Sequence, residues 1–414
     1  MNKEHVELLE SRLRQSLPEA LEILRQMVSI NSFTDNAAGV NSVGELTAKV
    51  FAPLGFSSES IPSNTSGHGN HLVLRRLGET RKTIGLVTHL DTVFPPEEEA
   101  KNNFRWLVEK DRIYGPGTHD IKGGTVMIFL ILSAMHALFP KEFNSVNWVI
   151  LADSHEEQLA VDFGDLCLKI LGKEVMACLV FEGGAMQGTT YPVVVARKGR
   201  IEFRVRVEGR AAHASLADQG VNAIVQLSRV LPVIANLADH AKDLSVNLGA
   251  IRSPTVINRV PHWAEADGEM RAFELEVLDE VKQKLLALSN LEESGIIRDR
   301  SSLDGFHARV HLDILHESPP WPRNPATDRI YKAWSETALG LGWKTLAEHR
   351  GGLSDGNYTM RFLPTLDGLG PDGGNDHCSE RAVDGSKLPE YVDVSSFVPK
   401  AILNIMAIIR LIHA

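Results

Sequence analysis

The chain has 414 residues, of which 43% are hydrophobic and 23% charged. At about 150 residues per domain this gives two to three domains, and it excludes a disordered or collagen-like chain. With 43 basic against 53 acidic residues, a net charge of −10 and no basic stripe, it also excludes the electrostatics of a nucleic-acid binder.

Cys167, Cys178 and Cys378 are odd in number and lack C-x-x-C spacing. They imply a reducing compartment, not a disulfide framework or an all-cysteine zinc knot. The opening stretch MNKEHVELLESRLRQSL is charged and has no apolar core of a signal peptide. The longest apolar run, Val126 to Phe139, falls short of the roughly 20 residues of a bilayer span. A soluble, cytoplasmic protein with no membrane partner is expected. Histidine is abundant, with 16 copies against 5 tyrosines.

In chain order, Val6, Leu9, Leu13, Leu17, Leu21, Leu24 and Val28 recur at helical spacing over residues 3–28, with Pro18 expected to break or kink the helix. Strands are predicted at His71–Leu74, Thr83–Thr88, Trp148–Ala152 and Ala177–Phe181, with helices at Thr125–Leu138 and Leu159–Leu171. Such alternation predicts an α/β domain with a mostly parallel sheet. Near residue 198 the pattern changes. Ile201–Val207 alternates strictly, as a half-exposed antiparallel strand does. A helix at Asn222–Leu237, strands at Leu244–Ile251 and Ala264–Phe273, a helix at Glu274–Leu288 and a strand at Ala308–Ile314 follow. That order, β-α-β-β-α-β, predicts an inserted α+β unit over 198–315. After the Pro-rich stretch 318–325 the alternation resumes, so 1–197 and 316–414 are expected to form one interrupted domain.

Several polar residues stand where strands end, the place of ligand sites in open α/β sheets. His89 ends an apolar strand, and Asp91, two residues on, faces the same way. It is placed to hydrogen-bond the far ring nitrogen of a metal-bound His89. Asp120 lies in the glycine-rich loop IYGPGTHDIKGG before an apolar helix. Glu156 and Glu157 follow another apolar strand, Glu182 ends a further one before two glycines, and His377 follows a glycine-rich loop. Singly, each has an ordinary explanation as a cap or a solvated acid. Together, two imidazoles and three carboxylates (His89, Asp120, Glu157, Glu182, His377) provide three protein ligands to each of two zinc ions if one carboxylate is shared. That leaves room for a bridging water, and Glu156 is then the free carboxylate that can take its proton.

The segments HLDTV, YGPGTHDIKGG, HEE, FEGG and GGLSDGN…LDGLGPDGGNDH resemble, in order across nearly the whole chain, the di-zinc amidohydrolase and exopeptidase family of carboxypeptidase G (glutamate carboxypeptidase), acetylornithine deacetylase, succinyl-diaminopimelate desuccinylase and the aminoacylases. The order and the DGLG segment are most similar to the carboxypeptidase G branch. The resemblance implies a zinc-binding α/β catalytic domain with an inserted lid that also forms a homodimer. It makes His89 and Glu182 ligands of one zinc, Glu157 and His377 ligands of the other, and Asp120 the bridge. Asp91 becomes the partner of His89 and Glu156 the general base. A cis peptide is implied between Asp120 and Ile121. In the lid, GRAAHAS makes His213 the residue that stabilises the oxyanion, from the partner subunit in dimeric members. TVINRVP makes Asn258 a substrate-binding residue, and GEMRAF makes Arg271 the partner of a substrate carboxylate, a task its planar fork suits. The backbone of GGLSDGN, with Gly352 and Ser354, is expected to line the substrate pocket.

The chain departs from the family pattern at His155, where relatives carry Asp before the paired glutamates, and at His119, before the bridging aspartate. The stretch SERAVDGSKLP after His377 reads as an insertion. The sequence Gly352-Leu353-Ser354-Asp355-Gly356 also fits the serine-hydrolase elbow, but Glu348-His349-Arg350 precedes it in place of an apolar strand, and that reading leaves the other motifs unexplained. The expected function is hydrolysis of an amide or peptide bond next to a free carboxylate in a small-molecule substrate. The mechanism is a metal-bridging hydroxide with two zinc ions; cobalt or manganese would serve the same chemistry. The alternatives are an N-acyl amino acid deacylase and, from another class, a metal-binding protein without catalysis.

Overall fold

Runs rich in Val, Ile and Leu between turn residues become the strands of a six-stranded sheet in the computed structural model, which describes residues 3–158, 160–254, 256–290 and 296–414. The strands lie in the order Ser57–Pro62, Asn70–Arg76, Asn147–Asp153, Thr83–His89, Ala177–Val180, Thr365–Leu366. The last four run parallel, and the first two join antiparallel at one edge. Their central residues are buried on both faces, as a parallel sheet covered by helices requires. The fold is thus α/β with a mostly parallel sheet, alongside separate antiparallel sheets.

Two apolar helices fill the core on one side. The run around Val126–Phe139 lies mostly in the helix Lys122–Leu138, in which every residue from Lys122 to Leu132 is buried. The helical span Val394–His413, which ends in the helix Phe397–His413, is the one span among the described residues long and apolar enough to cross a membrane, but 83% of its apolar window is buried. The first helix, Lys3–Val28, continues through Pro18 instead of breaking there. Leu9 and Leu13 before the proline, and Ala20 and Leu24 after it, are all fully buried in one cluster, so packing on both sides offsets the lost hydrogen bond. The predicted helix at Leu159–Leu171 is present as Val161–Leu171; Leu159 itself lies outside the described residues.

The chain divides into two compact units, one of Met1–Val195, Arg323–His349 and Ser354–Ala414, the other of Ala196–Pro322 and Arg350–Leu353. The second contains an antiparallel sheet in the order Ser245–Arg252, Trp263–Ala272, Gly199–Glu208, Arg309–Ser318. Ile201, Phe203, Val205 and Val207 are buried beneath the helices Ala223–Ala235 and Leu275–Ala287 in a core of their own. The intervening Arg204 and Arg206 pair across strands with Asp267 and Glu265. Truncating Phe203, which is fully buried, to Ala would cost about 3–5 kcal/mol.

Candidate metal centre

Three neighbouring parallel strands deliver candidate ligands from the same end. The strand Thr83–His89 ends at His89, the strand Asn147–Asp153 leads into Glu156 and Glu157, and the strand Ala177–Val180 leads into Glu182. Asp120 precedes the helix Lys122–Leu138, and its peptide bond to Ile121 is cis. His377 comes from the loop that follows the glycines at 373 and 374, with φ +62.

These residues converge. Asp120 Oδ1 lies 3.0 Å from His89 Nε2, and its Oδ2 lies 3.2 Å from His377 Nε2. Glu182 Oε1 stands 3.9 Å from His89 Nε2, and Glu157 Oε2 stands 3.2 Å from His377 Nε2. Two ligand atoms on one tetrahedral zinc lie roughly 3.3 Å apart. Asp120 therefore presents one oxygen to each histidine, and each histidine has a second carboxylate beside it.

The electrostatics of the protein atoms point the same way. Burial pushes the carboxyls of Glu156 and Glu182 well above the usual carboxylate range, and neighbouring acids add to the effect. Burial and the Asp120 carboxylate push Glu157 up to about 8. Against the cost of their own burial, Asp120 is held low by His377 and His89, and His89 is held high by Asp120 and Asp91. Asp120 and Glu157 together raise His377 to about 11. Four carboxyls this close cannot all ionise without added positive charge, and a pair of divalent cations supplies it. The donor set of two imidazoles and three carboxylates fits two such ions.

Asp91 backs this arrangement. Its Oδ1 lies 3.2 Å from His89 Nδ1 and accepts the amide of Glu156 at 3.2 Å. Its Oδ2 accepts the amide of Glu157 at 3.3 Å and the Thr34 hydroxyl at 2.7 Å. Two further supports were not singled out from sequence. Glu390, fully buried, accepts the amides of His119 and Asp120 with Oε1 at 2.9 and 3.1 Å. Asp376 holds His119 Nδ1 at 2.6 Å, tying the Asp120 loop to the residue before His377. A Cβ on Gly183 or Gly373 would lie 2.2 or 2.6 Å from the His119 ring, so the two glycines make the slot that the ring fills. Neither Glu390 nor Asp376 carries a local signal, because their partners are backbone and side-chain groups some 260 residues away. His119 is thus a structural tie.

The remaining residues singled out from sequence fall differently. Ser354 is fully buried; its hydroxyl donates to Asp367 Oδ2 at 2.8 Å and its amide to Asn357 Oδ1 at 3.1 Å. Both groups are spent inside the loop, so Ser354 does not line a pocket, and it is not a nucleophile with a histidine at its hydroxyl. The Gly352 carbonyl accepts from Arg197 at 3.0 Å. His213, Asn258 and Arg271 belong to the second unit. His213 is exposed; its Nδ1 accepts the Ser215 amide, which leaves the proton on Nε2 as a donor. Asn258 is exposed, and its carbonyl accepts the Ala214 amide. Thr255, in the same stretch, lies outside the described residues. Arg271 forks onto Glu269 with two bonds of 2.9 Å and donates to the Gly351 carbonyl at 3.0 Å.

A family model described as Peptidase family M20/M25/M40 matches residues 85–399. Carboxypeptidase G2 of Pseudomonas sp. (strain RS-16) is 26% identical over 385 residues, covering 92% of this chain and 86% of that protein. A succinyl-diaminopimelate desuccinylase of Alkalilimnicola ehrlichii is 28% identical over 369 residues, covering 86% of this chain and 91% of that one. Among solved structures, a tripeptidase from Staphylococcus aureus superposes with a TM-score of 0.74 at 19% identity, covering 98% of this chain and 99% of that one.

Proposed function

Because this chain belongs to Peptidase family M20/M25/M40 and is therefore a metal-dependent hydrolase, we propose that it cleaves an amide or peptide bond next to a free carboxylate, in the manner of a glutamate carboxypeptidase. The observation that carries this reading is the division of Asp120 between His89 and His377, one oxygen to each. His89, Glu182 and Asp120 would hold one zinc ion, and Glu157, His377 and Asp120 the other. When bound, the ions supply Lewis acidity and a water that loses its proton near neutral pH.

The chain's own groups do the rest. Glu156, raised by burial and by its acidic neighbours, takes a proton from the attacking water and hands it to the leaving nitrogen. Asp91 keeps the proton of His89 on Nδ1, so that Nε2 faces the metal. The Nε2 proton of His213, in the chain itself or in a partner copy, is offered to the developing oxyanion. Arg271 exchanges Glu269 for the substrate carboxylate, which makes that exchange part of the binding cost. Asn258 and the Gly352 segment border the substrate. The second unit acts as lid and as the interface of a homodimer, and three free cysteines support a cytoplasmic setting.

A zinc-supplemented hydrolysis screen of Xaa-Glu dipeptides and N-acyl glutamates against N-acetyl and N-succinyl diamino acids tests the reading. The higher kcat/KM is expected on the glutamate amides. A preference for the N-acyl diamino acids assigns the enzyme to the deacylase type, which the similarity to the desuccinylase supports. Bound metal without turnover of any of them overturns the hydrolase reading.

A further inference from the structure

We infer that His71, His155 and Asp162 form a third divalent-cation site, of the zinc class, that shares no ligand with the dinuclear centre. His71 Nε2 lies 3.2 Å from Asp162 Oδ2, and His155 Nε2 lies 3.3 Å from Asp162 Oδ1. The three ligand atoms fall within 4.8 Å of one another. The two nitrogen–oxygen distances, one to each oxygen of the Asp162 carboxylate, match the ligand–ligand edge of a zinc coordination tetrahedron, roughly 3.3 Å. Two imidazoles and one carboxylate are the donor set that zinc takes, with a fourth position for water or another ligand.

The surroundings are those of ligating imidazoles. Both Nδ1 atoms turn to one buried carboxylate oxygen, Asp153 Oδ1, at 3.1 Å from His71 and 3.5 Å from His155. Ser154 Oγ adds contacts to the same two nitrogens at 3.3 and 3.1 Å. His71 Nδ1 also accepts the Ser154 amide at 3.3 Å, so the Nδ1 contacts of both rings are made within residues 153–154, and the Nε2 atoms are the ones turned to Asp162. A third ring stands ready: His68 packs on His155 with centroids 4.8 Å apart, and its buried Nδ1 has no hydrogen-bond partner.

The cluster is sheltered: His71 and His155 are each 2% exposed, their rings lie 5.2 Å apart at 30°, and the carboxyls of Asp153 and Asp162 stand against their opposite nitrogens. Asp162 also accepts the Asn64 amide at 2.8 Å. The ion would therefore clamp the segment before the strand Asn70–Arg76, the start of the helix Val161–Leu171, and the residue directly preceding Glu156. His155 stands where the family pattern has Asp, and this substitution supplies the second imidazole.

The test is a zinc count. Metal-free full-length protein is loaded with zinc, freed of excess by gel filtration, and assayed by plasma mass spectrometry as wild type, Asp162→Asn and His155→Asp. The expected result is one ion fewer in each variant than in wild type, two against three. Equal counts overturn the site, whatever the total. A total below two in the variants with the difference of one preserved instead counts against the dinuclear reading alone. Should a variant not fold by circular dichroism, anomalous diffraction at the zinc edge reads the wild-type protein directly. A peak between His71 and His155 supports the site; peaks at the dinuclear centre with none there overturn it.

Discussion

One carboxylate oxygen, Asp91 Oδ1, serves both His89 and Glu156: it lies 3.2 Å from the ring Nδ1 of the first and accepts the amide of the second at 3.2 Å. A change at Asp91 therefore disturbs the His89 ring and the backbone at Glu156 together. Asp91→Asn is expected to weaken retention of the ion on the His89 side by roughly 10–100-fold. Turnover should fall by at least as much, even with zinc in excess. Isothermal titration with zinc, paired with kcat at saturating metal, checks it; unchanged affinity would show that Asp91 only supports the fold.

Glu156 makes no direct bond to either histidine in the described contacts, while Glu157 does. Replacing Glu156 by Gln should leave the dinuclear metal content intact and lower kcat by about 10²–10⁴-fold. Metal analysis and steady-state kinetics on one preparation decide it. Substantial residual kcat would remove Glu156 from the proton transfer.

Chelation should abolish activity, and added zinc should restore it. Serine-directed phosphonylating or sulfonylating reagents should leave it unchanged, because Ser354 is buried with its hydroxyl on Asp367. Inactivation by such a reagent would revive the G-x-S-x-G reading.

Glu390 has a carboxyl pushed up to about 8, by burial first and then by the charges of Asp120 and Asp376. The folded, metal-free protein thus holds a proton that the unfolded chain releases near pH 4.3. Stability from this group is full below that pH and declines as pH rises through 8. Glu390→Gln keeps an acceptor for the amides of His119 and Asp120 but cannot ionise. Its melting temperature relative to wild type should rise between pH 5 and 9. A constant difference across that range would contradict the assignment.

The convergence of His89, Asp120, Glu157, Glu182 and His377 was legible because each sits at a strand end or a glycine turn, where local pattern and chemistry coincide. The β-α-β-β-α-β order was legible for the same reason, through the alternation of Ile201, Phe203, Val205 and Val207. Glu390, Asp376 and Asp153 were not, since what defines them is a contact made across the fold to backbone or ring atoms. Pro18 misled because propensity is local and the packing of Leu9, Leu13, Ala20 and Leu24 is not. Ser354 misled in the other direction: its motif is exposed-loop chemistry, but Asp367 and Asn357 draw it inward.

The two halves of the metal centre differ in shelter. The His89 side chain is fully enclosed, whereas that of His377 is 55% exposed and rides on a loop in a left-handed backbone conformation. An ion held on the His377 side would therefore have the shorter residence time. Loading and stripping should proceed in two separable phases, with a singly loaded form in which the His89 side alone is filled.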